Sequence, residues 1–327
     1  MLRLQNGRNY PFAANLDRTV FTATFATMQV PLIHHPAYDA DTVADGHRFP
    51  MRKYSLVAKL LREQGHALIE PQPARPEQLE TVHDPDYVEA VLTCSLDPKS
   101  ARKIGFEITP AIVRRTCASV GGTIHAARFA LTTGAAVNLA GGSHHAHPDF
   151  GSGFCVFNDV GVAAHVMLER GEVSKVLVID LDVHHGDGTA RMFTRREDVF
   201  TLSVHCEANW PLEKPPSDID IGLPKATGDA VYLTTLRKTL GHAFAAAEPD
   251  FVFYNAGVDP HQDDKLGYLD LTDGGIMERD RIVVQASLDR DIPVCGVLGG
   301  GYSKDALAVA RRHLFLVDAM TGCLSPA

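Results

Sequence analysis

Val176-Leu-Val-Ile-Asp-Leu-Asp-Val-His-His-Gly-Asp-Gly188 is the stretch on which the reading of this chain turns. Its apolar start reads as a buried parallel strand, and its polar end gathers carboxylates, imidazoles and glycines just past the strand. Three further apolar runs, at 135–140, 251–254 and 294–298, read the same way. Between them lie segments with helical spacing at 158–170, closed by Gly171, at 229–247 and at 273–289. Strand and helix therefore alternate, with no linker or internal repeat. The pattern predicts a single α/β domain from about residue 31 to 327, with helices on both faces of a mostly parallel sheet. The proline- and charge-rich stretch 207–226 is expected to be a surface loop near the site.

Composition narrows the function classes. With 327 residues and 45% hydrophobic content, the chain can bury a large core. The net charge of −9 is spread along the chain, which argues against a nucleic-acid surface and favours cationic substrates. Six cysteines without a C-x-x-C pair fit reduced thiols in a cytoplasmic protein, so no disulfides are expected. No apolar run reaches the roughly 18 residues of a membrane-spanning helix. The first 27 residues lack the pattern of a secretory signal and the alternation seen later. Residues 1–30 are expected to be an arm outside the core, or to lie largely upstream of a translation start at Met28.

In an open parallel sheet, ligands bind beyond the carboxyl ends of the strands. All four apolar runs end suggestively there: in Gly141-Gly142-Ser143-His144-His145, in the Asp180 to Gly188 block, in Asn255-Ala-Gly-Val-Asp259, and in Gly299-Gly300-Gly301-Tyr302. Asp182 and His184 stand two apart, so in an extended segment their side chains share a face and can chelate one ion. Asp259 completes a set of two carboxylates and one imidazole that leaves a coordination position open, as catalytic zinc sites do. Asp180 and Asp187 are candidates to orient His144 and His145, a pair suited to general acid and base work. Tyr302, after three glycines, can reach a developing oxyanion. The run Gly151-Ser-Gly153-Phe154-Cys155 offers a close backbone and an aromatic wall for a narrow channel. Taken singly, each of these residues could equally be a cap, a turn or a core side chain; their joint occurrence at strand ends is what carries the metal-site reading.

These motifs resemble the histone deacetylase family, within the arginase/deacetylase superfamily, over roughly residues 31–316. The resemblance rests also on His47-Arg-Phe-Pro-Met51 with Lys53-Tyr54, on Val82-His-Asp-Pro-Asp-Tyr87, and on Ser152-Gly-Phe-Cys155 with Asn158-Asp159. The Gly121-Gly122-Thr123 segment and the stretch from Tyr254 through Asp264-Lys-Leu-Gly267 look closest to class IV members and their bacterial relatives. The resemblance implies the three-layer arginase/deacetylase fold. It implies zinc, one per chain, on Asp182, His184 and Asp259, an acid/base pair at His144 and His145, and a transition-state tyrosine at Tyr302. It also implies structural potassium held by the Asp180 side chain, the Ser203 hydroxyl and backbone carbonyls that include Val204. Gly153 would take the scissile amide N–H, Phe154, Trp210 and Gly300 would line the acyl-lysine tunnel, and Glu107 is the nearest counterpart of the family's rim aspartate.

The expected function is zinc-dependent hydrolysis of an N-ε-acyl-lysine amide, in a peptide or protein, or of a small acylated amine such as an acetylpolyamine. Iron(II) suits the same donors. An arginase-like binuclear manganese hydrolase shares the Asp-x-His motif but needs further bridging carboxylates, and Asp259 is followed by Pro260-His261-Gln262. A binder without turnover would usually have lost a ligand or the tyrosine. Which of His144 and His145 is base and which acid stays open at this level, as do acyl-chain length and oligomeric state.

Overall fold

The computed structural model describes residues 30–43 and 46–324; the expected N-terminal arm and Met28 fall outside that range, apart from Val30 itself. Eight strands form one sheet: β1 (Leu32–Ile33), β2 (Leu68–Ile69), β3 (Ala135–Asn138), β4 (Val176–Asp180), β5 (Val199–Cys206), β6 (Ile219–Leu223), β7 (Phe251–Asn255) and β8 (Val294–Val297). Their order is β2-β1-β3-β8-β7-β4-β5-β6, and every pairing between them is parallel. The four strands read from apolar runs are the four central ones. They are buried along their whole length, which is why their sequences are near-continuous hydrophobic runs rather than alternating ones.

The helices are α1 (Lys53–Glu63), α2 (Pro76–Leu79), α3 (Pro85–Leu92), α4 (Pro98–Ile104), α5 (Pro110–Thr133), α6 (Asp159–Glu169), α7 (Asp187–Phe193), α8 (Asp229–Ala247), α9 (Asp273–Leu288) and α10 (Ala306–Leu324). They pack as two strings against the sheet: α5 on α6 and α6 on α7, and α1 on α10, α10 on α9 and α9 on α8. The result is a single-domain, three-layer α/β fold. Local chemistry sets the boundaries. Asn158 caps α6 by accepting from the Gly161 amide, and Thr109 caps α5 before Pro110. Thr272 does the same for α9.

Two expectations need correction. Residues 207–226 are not a loop throughout, because they contain edge strand β6. Its Ile219-Asp-Ile-Gly-Leu223 pattern alternates between half-buried and exposed, a period-two signal obscured by the prolines and charges before it. The segment after β4 is also not extended: residues 182–184 form a bend, and α7 begins at Asp187. Asp182 and His184 therefore converge through a turn and not through strand alternation.

Candidate metal centre and active site

The polar residues past the central strands meet in one place because β3, β8, β7 and β4 are neighbours and all point the same way. His184 Nδ1 lies 3.0 Å from Asp182 Oδ1 and 3.1 Å from Asp259 Oδ2. All three side chains are buried, and their ligand atoms fall within 4.8 Å of one another. Burial works against charge on His184, but its hydrogen bonds to Asp182 and Asp259 outweigh that and raise it to about 10. Burial and the charge of Asp182 push Asp259 up to about 7, while, against burial, the imidazoles of His144 and His184 hold Asp182 well below the usual carboxylate range. Two buried carboxylates beside one imidazole leave excess negative charge that a dication would neutralise.

The surroundings also suit an ion. The Gly300 amide donates to Asp182 Oδ2 at 2.8 Å, and the Asp259 Oδ1 atom accepts from the Val183 amide at 2.8 Å. A Cβ on Gly300 would sit 2.2 Å from Asp259 Oδ2 and 2.6 Å from Asp182 Oδ2, so only glycine lets the backbone come this close to the carboxylates. Two oxygens and one nitrogen from side chains are a donor set for Zn²⁺ or Fe²⁺. Among the described residues no further carboxylate joins this cluster, as a binuclear centre would require.

Each tandem histidine has a carboxylate at its back. His144 Nδ1 is 2.7 Å from Asp180 Oδ2, and His145 Nδ1 is 2.5 Å from Asp187 Oδ1. Asp187 also binds His147 Nε2 at 2.9 Å, and Asp180 is itself held by the Asn255 amide group at 3.0 Å. The two imidazole rings lie 4.0 Å apart. They differ in charge preference. Burial opposes the His144 cation, but Asp180 and Asp182 raise its pKa to about 9, whereas burial and the His144 charge lower His145 to about 3. His144 Nε2 faces Asp182 Oδ1 at 3.7 Å, and His145 packs against Trp210 and Gly153.

Tyr302 lies across from them, with its ring 6.1 Å from that of His184, and its amide donates to Asp264 Oδ2 at 2.6 Å. Burial, then the carboxylates Asp182 and Asp259, hold its hydroxyl in the protonated form well beyond the ordinary tyrosine range. Phe154 stands 5.9 Å from Tyr302 and 5.5 Å from Phe49, in the left-handed conformation at φ 67°. Trp210 crowds Gly153 from the other side: a Cβ there would lie 2.8 Å from its ring. Gly153 and Phe154 line one small cavity with His144, Asp182, Gly300 and Tyr302, and Trp210 packs on His145 beside it. Glu107 is exposed beside Phe106, whose ring packs on Phe154 at 5.5 Å. Ser203 and Asp180 line one small cavity with Gly186, Thr189 and Thr201, and Val204 is buried next to Ser203 in β5.

Three residues that sequence reasoning gave no role brace the site. Lys53, fully buried, donates from Nζ to the Gly299 carbonyl at 2.8 Å. Asp264 anchors the amides of Tyr302, Leu266 and Gly267. Arg279, on α9, reaches the carbonyls of Gly257 at 2.5 Å and of Leu181 and Ala256 at 3.3 Å, behind the loops that carry Asp259 and Asp182. In sequence, Arg279-Asp280 looks like a solvated charge pair on a helix, and nothing local marks it as buried.

Known proteins resemble this chain in sequence and in fold. A profile of the histone deacetylase domain matches residues 47–317. An uncharacterized protein of Picosynechococcus sp. is 44% identical over 295 residues, covering 88% of this chain and 97% of that one. Histone deacetylase 2 of Arabidopsis thaliana is 29% identical over 296 residues, covering 86% of this chain and 76% of its own. The crystal structure of an HDAC homolog complexed with SAHA superimposes with a TM-score of 0.77 at 26% identity, over 90% of this chain and 84% of the other. With a domain match across most of its length and the same fold, the chain belongs to the histone deacetylase family, whose members are generally metal-dependent deacetylases.

Proposed function

We propose that this chain is a zinc-dependent deacylase that hydrolyses N-ε-acyl-lysine amides to the free amine and a carboxylate, acting in the cytoplasm and closest to the class IV branch. The observation that carries this reading is a buried three-ligand cluster flanked by two imidazole–carboxylate pairs. Residues 31–327 would form the catalytic domain, with residues 1–30 as an arm.

Asp182, His184 and Asp259 would hold the zinc, which when bound supplies Lewis-acid activation of the substrate carbonyl and of water. One of the paired imidazoles, His144 beside Asp182 or His145 beside Gly153, takes the proton from the attacking water, and the other gives a proton to the leaving amine. Asp180 and Asp187 keep both rings in the required tautomer and orientation. Tyr302, kept protonated, donates to the developing oxyanion, and Gly153 accepts the amide N–H of the substrate. Phe154 and Trp210 sandwich the aliphatic chain, with Gly300 at its inner end and Glu107 at the rim. A potassium ion in the cavity of Asp180 and Ser203, completed by carbonyls such as that of Val204, would brace the loop below.

The test is turnover of a fluorogenic acetyl-lysine peptide with and without chelator. His145→Ala and Tyr302→Phe are each expected to reduce it by at least ~10²-fold, the scale of one acid/base or oxyanion group. Near-parental turnover in either variant refutes its assignment. A second reading, an amidohydrolase for small acylated polyamines, draws on the charge of −9, which favours cationic substrates. Acyl-lysine peptides of increasing chain length, run beside acetylated polyamines, separate the two.

A further inference from the structure

His185 follows the candidate zinc ligand His184 in the chain, yet it faces a different set of groups. Its ring is fully buried, its Nε2 lies 3.0 Å from Asp220 Oδ1, and its Nδ1 has no hydrogen-bond partner. The ring of His205 meets it edge-on at 4.8 Å. The ligand atoms of His185, His205 and Asp220 fall within 4.8 Å of one another, forming a second cluster apart from Asp182, His184 and Asp259.

Strand register builds this cluster. In the pairing of β5 with β6, Ser203 stands opposite Asp220 and His205 opposite Gly222. Side chains two apart on a strand share a face, so His205 and Asp220 project together. Glu207 then curls back over the edge. Its Oε2 lies 3.7 Å from His205 Nε2, and a Cβ on Gly222 would come within 2.1 Å of that same oxygen. Ser203 Oγ, 2.9 Å from His205 Nδ1, holds the ring so that Nε2 faces the carboxylates, the kind of outer hydrogen bond that orients a metal-binding imidazole.

We propose that His185, His205, Asp220 and Glu207 form a second divalent-cation site, distinct from the catalytic centre, that takes Zn²⁺. Two imidazoles and two carboxylates make a four-ligand shell with no open position, so the ion would be structural rather than catalytic. In a tetrahedral zinc site the ligand atoms stand about 3.3 Å apart, given bonds of roughly 2.0–2.1 Å. The 3.0 and 3.7 Å separations straddle that value; His185, His205 and Asp220 already stand together, and Glu207, exposed and outside that trio, closes on the ion by rotation of its side chain. Asp220 and Glu207 are partly exposed, which gives an ion a path from solvent. Bound there, it would tie the loop between β4 and α7, which carries His184, to β5 and the edge strand β6.

The proposal does not depend on the deacylase reading, and the test keeps the two apart. Full-length protein is stripped of metal by chelator, dialysed, and titrated with Zn²⁺ alone, with bound zinc counted by elemental analysis. The parent protein is expected to bind two ions per chain. Asp259→Ala should keep one, and that remaining ion should raise the melting temperature. Adding Asp220→Asn or Glu207→Gln to Asp259→Ala should abolish the remaining ion and the shift. Both positions are partly exposed, and Asn preserves a hydrogen-bond acceptor for the Ser217 amide, so loss of zinc there does not reflect loss of fold. A parent that saturates at one ion, or an Asp259→Ala,Asp220→Asn protein that still binds one tightly, overturns the second site. Unaltered zinc content and activity in Asp259→Ala would instead refute the catalytic assignment.

Discussion

At the scale of single residues, the candidate site was legible because it is built from rare side chains at strand ends. The sequence names Asp180 and Asp187 as partners for the tandem histidines without saying which goes with which, and the structure pairs His144 with Asp180 and His145 with Asp187. The reason given for Asp182 and His184 did not survive, since they share a bend and not a strand. Gly300 shows what sequence spacing does not convey. Its importance lies in the missing Cβ, which would otherwise collide with Asp259 and Asp182. Gly300→Ala is therefore expected to weaken zinc binding by about 10–100-fold, the usual scale for disturbing groups around a metal ligand, while the fold persists. Competition against a zinc indicator measures this, and parental affinity would show that the close approach is not required.

Among the elements, α9 does more than cover the sheet. Arg279 is fully buried, paired with Asp280, and donates to carbonyls of Gly257, Leu181 and Ala256. Asp280 in turn accepts from the Tyr254 hydroxyl of β7. One helix thereby pins the two loops that present Asp182 and Asp259. Removing one partner of a buried ion pair leaves an uncompensated charge and unpaired carbonyls. Arg279→Met should cost on the order of 3–5 kcal/mol, read as a lower urea midpoint with an unchanged slope. A midpoint within error of the parent would mean that the clamp is dispensable. The helix itself was recoverable from its helical spacing over 273–289, but the burial of its charged pair was not. Periodicity reports which face is apolar and is silent about a cation satisfied by carbonyls from elsewhere in the chain. Strands β1 and β2, at two residues each, are too short to carry a pattern, and β5 is interrupted by Thr201, Ser203 and His205.

For the molecule as a whole, buried neutral histidines set an acid limit on stability. His83 accepts from the Asn158 amide at 3.0 Å, and burial lowers its pKa to about 4. His34 is also lowered to about 4, by burial and then by Arg62. In the unfolded chain both titrate near 6.5. Between those values the unfolded state binds more protons, so stability is complete above pH 6.5, falls as the pH drops toward 4, and gains no further slope from these groups below that. Each contributes at most about 1.4 kcal/mol per pH unit in the window. Urea unfolding at pH 7 and pH 5, at fixed zinc, should show the loss, and His83→Gln should flatten it. An undiminished slope in that variant would assign the acid sensitivity to other groups.

The sequence by itself determined the layered α/β class, its four central strands and the residues that meet beyond them. Fully buried strands must be apolar throughout, and metal and proton chemistry draws on few residue types. Only the tertiary structure decided how those residues face one another, that the edge of the sheet reaches β6, and that Arg279 and Lys53 turn inward. It also decided that His185 leaves its neighbour His184 for His205 and Asp220. These outcomes depend on contacts between residues distant along the chain, where strand register and loop turns set the geometry and local spacing does not.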